Sequence, residues 1–105
     1  MIAKTPEPPY YAVIFTSIKT TSDNGYDDMA ELMIALASEQ EGFLGIEGAR
    51  NELGITVSYW KDTDSIKKWK QNSAHLIAQD KGRKLWYEHY KTRIAKVERD
   101  YGFDM

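Results

Sequence analysis

The chain has 105 residues, a formal charge of −2 and no cysteine. That length suits one small domain, and a near-neutral charge without a basic block argues against a nucleic acid or an anionic membrane as the main partner. The missing cysteines exclude a disulfide framework, a thiol nucleophile and Cys-ligated zinc.

Residues 1–9 carry Pro6, Pro8 and Pro9 and read as an extended arm, a tail or a strap over a neighbour. Residues 10–105 then read as a single domain. From Tyr10 to Lys19, Tyr11, Val13, Phe15 and Ser17 alternate with Tyr10, Ala12, Ile14, Thr16 and Ile18. Both sets are largely apolar, which predicts a strand covered on both sides. Ser22, Asp23, Asn24 and Gly25 form a turn. Tyr26, Met29, Leu32, Met33, Leu36 and Ala37 recur at three and four residues, the stripe of a helix that Gly42 closes. Phe43 to Arg50 is a short strand in which Gly45 and Gly48 mark a bulge or the close approach of another backbone. After the turn at Asn51 to Gly54, Ile55 to Trp60 returns antiparallel, with Ile55, Val57 and Tyr59 on one face and Thr56, Ser58 and Trp60 on the other.

Asp62, Thr63, Asp64 and Ser65 are short oxygen-bearing side chains suited to the free N–H groups of a helix start. Ile66 and Trp69 follow on the sheet side, with Lys67, Lys68 and Lys70 toward water. Asn72 and Ser73 favour caps over helix interiors, so the pattern predicts two pieces, Ile66 to Lys70 and Ser73 to Tyr87. In the second piece His75, Ala78, Gly82 and Trp86 share a face. Thr92 to Asp100 alternates again, as a half-polar strand at an edge or interface. The resulting order is β-α-β-β-α-β, an α+β, ferredoxin-like split βαβ plan with one antiparallel sheet and both helices on a single face. A second copy is the simplest cover for the opposite face, so a homodimer is expected. Three Trp, seven Tyr and three Phe suit a lined cavity or such an interface, since each large ring buries roughly 150 to 250 Å². No apolar run reaches the length of a signal peptide or membrane span, and a cytoplasmic protein is expected.

The runs YYAVIFTS, EGFLGIEGAR, ITVSYWKDTDSIKKWKQNSAH and AQDKGRKLWYEHYKTRIAKVERDYGF resemble the antibiotic biosynthesis monooxygenase (ABM) family, whose members are dimeric α+β barrels. The likeness covers nearly everything after Pro9. Its most specific parts are Trp60, Trp69, His75 and the Trp86-Tyr87 pair. It implies a cofactor-independent monooxygenase or related small oxidoreductase acting on a small aromatic molecule in an apolar cleft. The substrate's phenolate would supply the electron to oxygen there, and the protein would supply the cleft, hydrogen bonds to the oxyanion and a base. On that basis His75 and an inward Arg93 are the candidate catalytic residues, and Trp60, Trp69, Phe15 and Trp86 the candidate substrate-binding ones. No cofactor and no metal are implied. A non-catalytic dimeric binding or stress-response protein would use the same cleft.

The family's heme-degrading branch fits less well. It carries an asparagine on the first strand, a tryptophan on the helix after the third strand, and an iron-ligating histidine ten residues further on. Trp69 matches the tryptophan, but Gln79 stands at the histidine position and the first strand offers Thr16 and Ser17. The site residues also have bland readings. Trp69 at helical spacing is chiefly a core residue, His75 a cap or an exposed side chain, and Arg50 and Arg93 edge or interface charges. His75 and His89 are fourteen apart and are the two histidines of the chain, which makes a transition-metal site within one protomer improbable.

Overall fold

The structure, a computed structural model, describes residues 2–21, 25–80 and 86–105, with the backbone alone for 75–80. Six elements follow in the expected order: β1 (Tyr10–Lys19), α1 (Tyr26–Ser38), β2 (Phe43–Arg50), β3 (Gly54–Trp60), α2 (Thr63–Asp80) and β4 (Tyr87–Val97). The strands form one antiparallel sheet in the order β2-β3-β1-β4. This is the split βαβ plan, and β4 is an edge as expected.

Two expectations are corrected. α2 is one continuous helix through Asn72 and Ser73. Ser73 stays helical by turning its hydroxyl onto the carbonyl of Lys70, and Asn72 points outward to Gln40. The start is as the sequence suggests, with Asp62 Oδ1 accepting the Ser65 N–H at 2.8 Å. The last strand begins at Tyr87, not at Thr92, and ends at Val97. β1 is ten residues long, and its second half pairs from Ser17 to Lys19 with Tyr90, His89 and Tyr87. Those ladder bonds draw Tyr87, expected at the end of a helix, into the sheet, while Trp86 stays helical.

Antiparallel register lines up rows of residues across the sheet, and the rows alternate between its two faces. Phe43, Trp60 and Tyr11 make one row on the helix side; Ile46, Ser58, Val13 and Ile94 make the next. Gly48, Thr56, Phe15 and Thr92 make a third, and Arg50, Gly54, Ser17 and Tyr90 a fourth, at the far end. The core gathers at the first of these. Ala37 of α1, Trp60 of β3 and Ile66 of α2 are buried together, with Tyr11, Val13, Phe43 and Trp69 packed around them. From the second row toward the fourth the sheet and helices leave a cavity.

On the outer face the rows are Gly45, Tyr59, Ala12 and Ala95, then Glu47, Val57, Ile14 and Arg93, then Ala49, Ile55, Thr16 and Lys91. The N-terminal arm crosses one end of this face. Ala3 donates its N–H to Glu47 Oε2 at 2.8 Å, and a Cβ on Gly45 would stand 3.1 Å from that of Ala3. Gly45 therefore serves both roles suggested by the sequence, because the β2–β3 register also shifts between Phe43 and Gly45. Tyr10 bonds Asp100 on the C-terminal side, so arm and tail meet over the sheet.

Candidate functional site

The cavity between the helices and the sheet has a volume of about 330 Å³. Its floor is Val13 and Phe15 of β1, Ile46 of β2, Thr56 and Ser58 of β3 and Ile94 of β4. Met29 and Met33 of α1 and Ile66 and Trp69 of α2 form its roof, and Trp86 and Tyr87 close the end where β4 begins. These walls follow from period 2 in the strands and 3.6 in the helices, each of which turns one apolar face to the same space.

Four expected site residues stand in or beside this space, with different exposure. Phe15, Trp69 and Trp86 line it. Trp60 does not: it is wholly buried (0% exposed), stacked against Trp69 at 6.2 Å, edge-on to Phe43 at 5.4 Å, and bonded through Nε1 to Ser58 Oγ at 2.9 Å. It is the core behind the wall. Trp69 is correspondingly less of a core residue than its spacing suggests, being half-buried with one face on Trp60 and another on the cavity. Arg93 is corrected outright. It pairs with Ile14 on the outer face, exposed, and does not reach the cavity. His75 lies within α2, and its side chain, like that of Gln79, lies outside the described residues.

Among the described residues, the arginine that lines the cavity is Arg50. In its row the neighbour across β2–β3 is Gly54 and the next residue across is Ser17. With no side chain on Gly54, Arg50 lies over it, and Nη2 donates to the Ser17 Oγ, which is 1% exposed. A Cβ on Gly54 would overlap the guanidinium. Arg50 also lies 5.9 Å from the Tyr26 ring, a cation–π distance. The signal for Arg50 was present in the sequence as an Arg and a Gly bracketing a hairpin, but reading it requires the register.

Around that end the rings form a connected group. Phe15 contacts Tyr87 and Tyr90, and Tyr26 meets Trp86 and Tyr87 edge-on. Tyr87 Oη donates to Tyr26 Oη at 3.4 Å. Burial, and then that bond, push the Tyr87 phenol above its ordinary 10.0, so it is a donor at neutral pH and not a base. Among the described residues no group of His, Cys, Asp or Glu could hold a metal ion.

No family model matches the chain. Over 100 residues, 93% of this chain and 88% of the other, it is 53% identical to the uncharacterized protein YqjZ of Bacillus subtilis. The chain belongs to the family of YqjZ. A shorter stretch of 43 residues, 41% of this chain and 20% of the other, is 35% identical to the Jasmonate monooxygenase ABM of Pyricularia oryzae. The fold is shared with a mutant form of SnoaB of Streptomyces nogalater, a cofactor-independent oxygenase. That likeness has a TM-score of 0.72 at 9% identity and covers 87% of this chain and 95% of SnoaB. The resemblance to the ABM family drawn from the residues is thus borne out, and this chain shares the ferredoxin-like fold of SnoaB. Among the described residues no helix is long and apolar enough to cross a membrane.

Proposed function

We propose that this YqjZ-family protein is a cofactor-independent monooxygenase that oxidises a small phenolic aromatic in the cavity of each protomer of a homodimer. The observation that carries this reading is the cavity itself. At about 330 Å³ it falls at the lower end of small-molecule sites, which run from about 300 to 1,000 Å³, and it is walled by aromatic and aliphatic side chains. The fold of SnoaB and the partial match to a monooxygenase support the reaction class.

The chemistry asks little of the protein. An ionised phenol passes an electron to O₂, the two radicals combine at a ring carbon, and the resulting hydroperoxide loses water to leave a quinone. One oxygen atom enters the ring. The other leaves as water with the phenolic and ring hydrogens, so phenol plus O₂ gives quinone plus water. Phe15, Trp69 and Trp86 would hold the ring and keep bulk water away from the radical pair. The outer face, where Ile18 and Ile55 are exposed beside Ile14 and Val57, supports the dimer of this reading.

A specific observation favours a second reading, a binding protein without catalysis. Among the described residues lining the cavity there is no carboxylate and no imidazole, and Tyr87 holds its proton. Oxygen uptake with a panel of one- and two-ring phenols and hydroquinones, with chelator present and no added flavin or heme, decides between them. Labelled ¹⁸O₂ is expected to place one atom in the product. Binding without oxygen uptake would replace the oxygenase by the binding protein.

A further inference from the structure

The charges of the cavity do not match those of the whole chain. The protein carries a net charge of −2, yet the charged residues that line the cavity among those described are Arg50 and Lys70, both cations. Both are exposed, and Lys70, on α2, stands at the end of a flexible stem. Arg50 is held. Gly54 leaves the space its side chain crosses, the buried Ser17 hydroxyl takes one N–H, and the face of Tyr26 lies beside it. Its partners are thus a neutral hydroxyl and a ring, and no carboxylate among the described residues pairs with it.

A guanidinium has five N–H donors in a planar fork, and Ser17 takes one of them. The remaining donors stand at the rim of an apolar space, where an arriving oxyanion would gain a charge-assisted bond less screened than in open water. A purely apolar ligand would gain nothing from this arrangement, and a cationic one would be repelled.

We propose that Arg50 is an anion anchor, and that the cavity selects a one- or two-ring aromatic bearing a single anionic oxygen group, its charged end on Arg50 and its ring between Phe15 and Trp69. This rests on the reading of the cavity as a ligand site and narrows the ligand class for that site. The row Arg50–Gly54–Ser17 sets the position. An alanine at 54 would push the guanidinium aside while leaving its charge in place, at little cost to the backbone, since Gly54 has no left-handed φ.

The test is calorimetric titration at neutral pH with 2-naphthoate and its uncharged isostere 2-naphthamide, on the parent and on Arg50→Gln, Gly54→Ala and Lys70→Gln. A charge-assisted bond at a partly exposed site predicts about a tenfold preference for the acid in the parent. Arg50→Gln and Gly54→Ala are expected to abolish that preference while leaving the amide within about twofold, and Lys70→Gln to retain it. A parallel titration with 4-nitrophenol across its ionisation separates the two sources of the charge. Arg50-dependent tightening as the phenol ionises identifies a phenolate ligand, and tightening confined to the naphthoate identifies a carboxylate. Equal binding of acid and amide, or a preference that survives Arg50→Gln or vanishes in Lys70→Gln, overturns the anchor and leaves the cavity reading standing. If none of the three probes binds, the anchor and the cavity reading fall together.

Discussion

The two tryptophans that stack at 6.2 Å make unequal contributions, and the inequality can be measured. Trp60 is 0% exposed, so Trp60→Ala removes a whole buried ring, worth about 4 to 6 kcal/mol at 25 cal/mol per Å² as an upper figure and about 3 to 5 kcal/mol by mutational precedent. The Nε1–Ser58 bond adds about 1 kcal/mol. A domain of this length has roughly 5 to 15 kcal/mol in total, so the alanine variant is expected to be unfolded or nearly so. Trp69 has one face on Trp60 and the other on the cavity, and about half the burial gives about 2 to 3 kcal/mol for Trp69→Ala. At about 4 to 8 °C per kcal/mol that variant stays folded at 25 °C but melts at least about 8 °C lower. Urea unfolding followed by far-UV circular dichroism, at one protein concentration so that association does not enter, gives both values. A Trp69→Ala variant as unstable as Trp60→Ala would refute this division between core and cavity wall, as would a Trp60→Ala protein melting within a few degrees of the parent.

Gly42 has φ +88 and a missing Cβ that would overlap the Ser65 hydroxyl, so Gly42→Ala combines backbone strain with a clash and should cost about 2 kcal/mol or more in the same urea assay. Bonds from Tyr59 Oη and the Ala3 N–H hold the Glu47 carboxyl below its ordinary 4.5, so the unfolded chain takes the proton first. That stability is present above 4.5 and is lost as the pH falls further. Burial, and then Glu47, push the Tyr59 phenol up to about 12, so on the alkaline side stability falls as the pH rises from 10.0 toward that value. Tyr59→Phe should flatten both limbs of the stability–pH curve, and an unchanged curve would remove the pair from the account. Ile55, 42% exposed on the outer face, should tolerate Ile55→Lys in the protomer while sedimentation shifts from dimer to monomer; a parent that sediments as a monomer at micromolar concentration would end the dimer.

The sequence by itself determined what depends on short periods. Alternation defines β1 at Tyr10–Lys19 and the body of β3 up to Trp60, the turn after Arg50 makes the hairpin with β2, and the carboxylate of Asp62 opens α2. Each of these is settled by groups within a few residues of one another, and together they give the order and therefore the fold. Tertiary structure alone decided which of two apolar faces meets the helices, where β4 begins, and which tryptophan is core. Trp60 and Trp69 are equally apolar in sequence, and only the docking of Ala37 and Ile66 buries the first and leaves the second at a cavity. Arg93 and Arg50 show the same limit, because a shift of one residue in register moves a side chain to the other face of a sheet. Pairing with Ile14 turns Arg93 outward, whereas the row through Gly54 to Ser17 brings Arg50 into the cavity. That row joins residues from three strands, and its geometry exists only once the strands are paired.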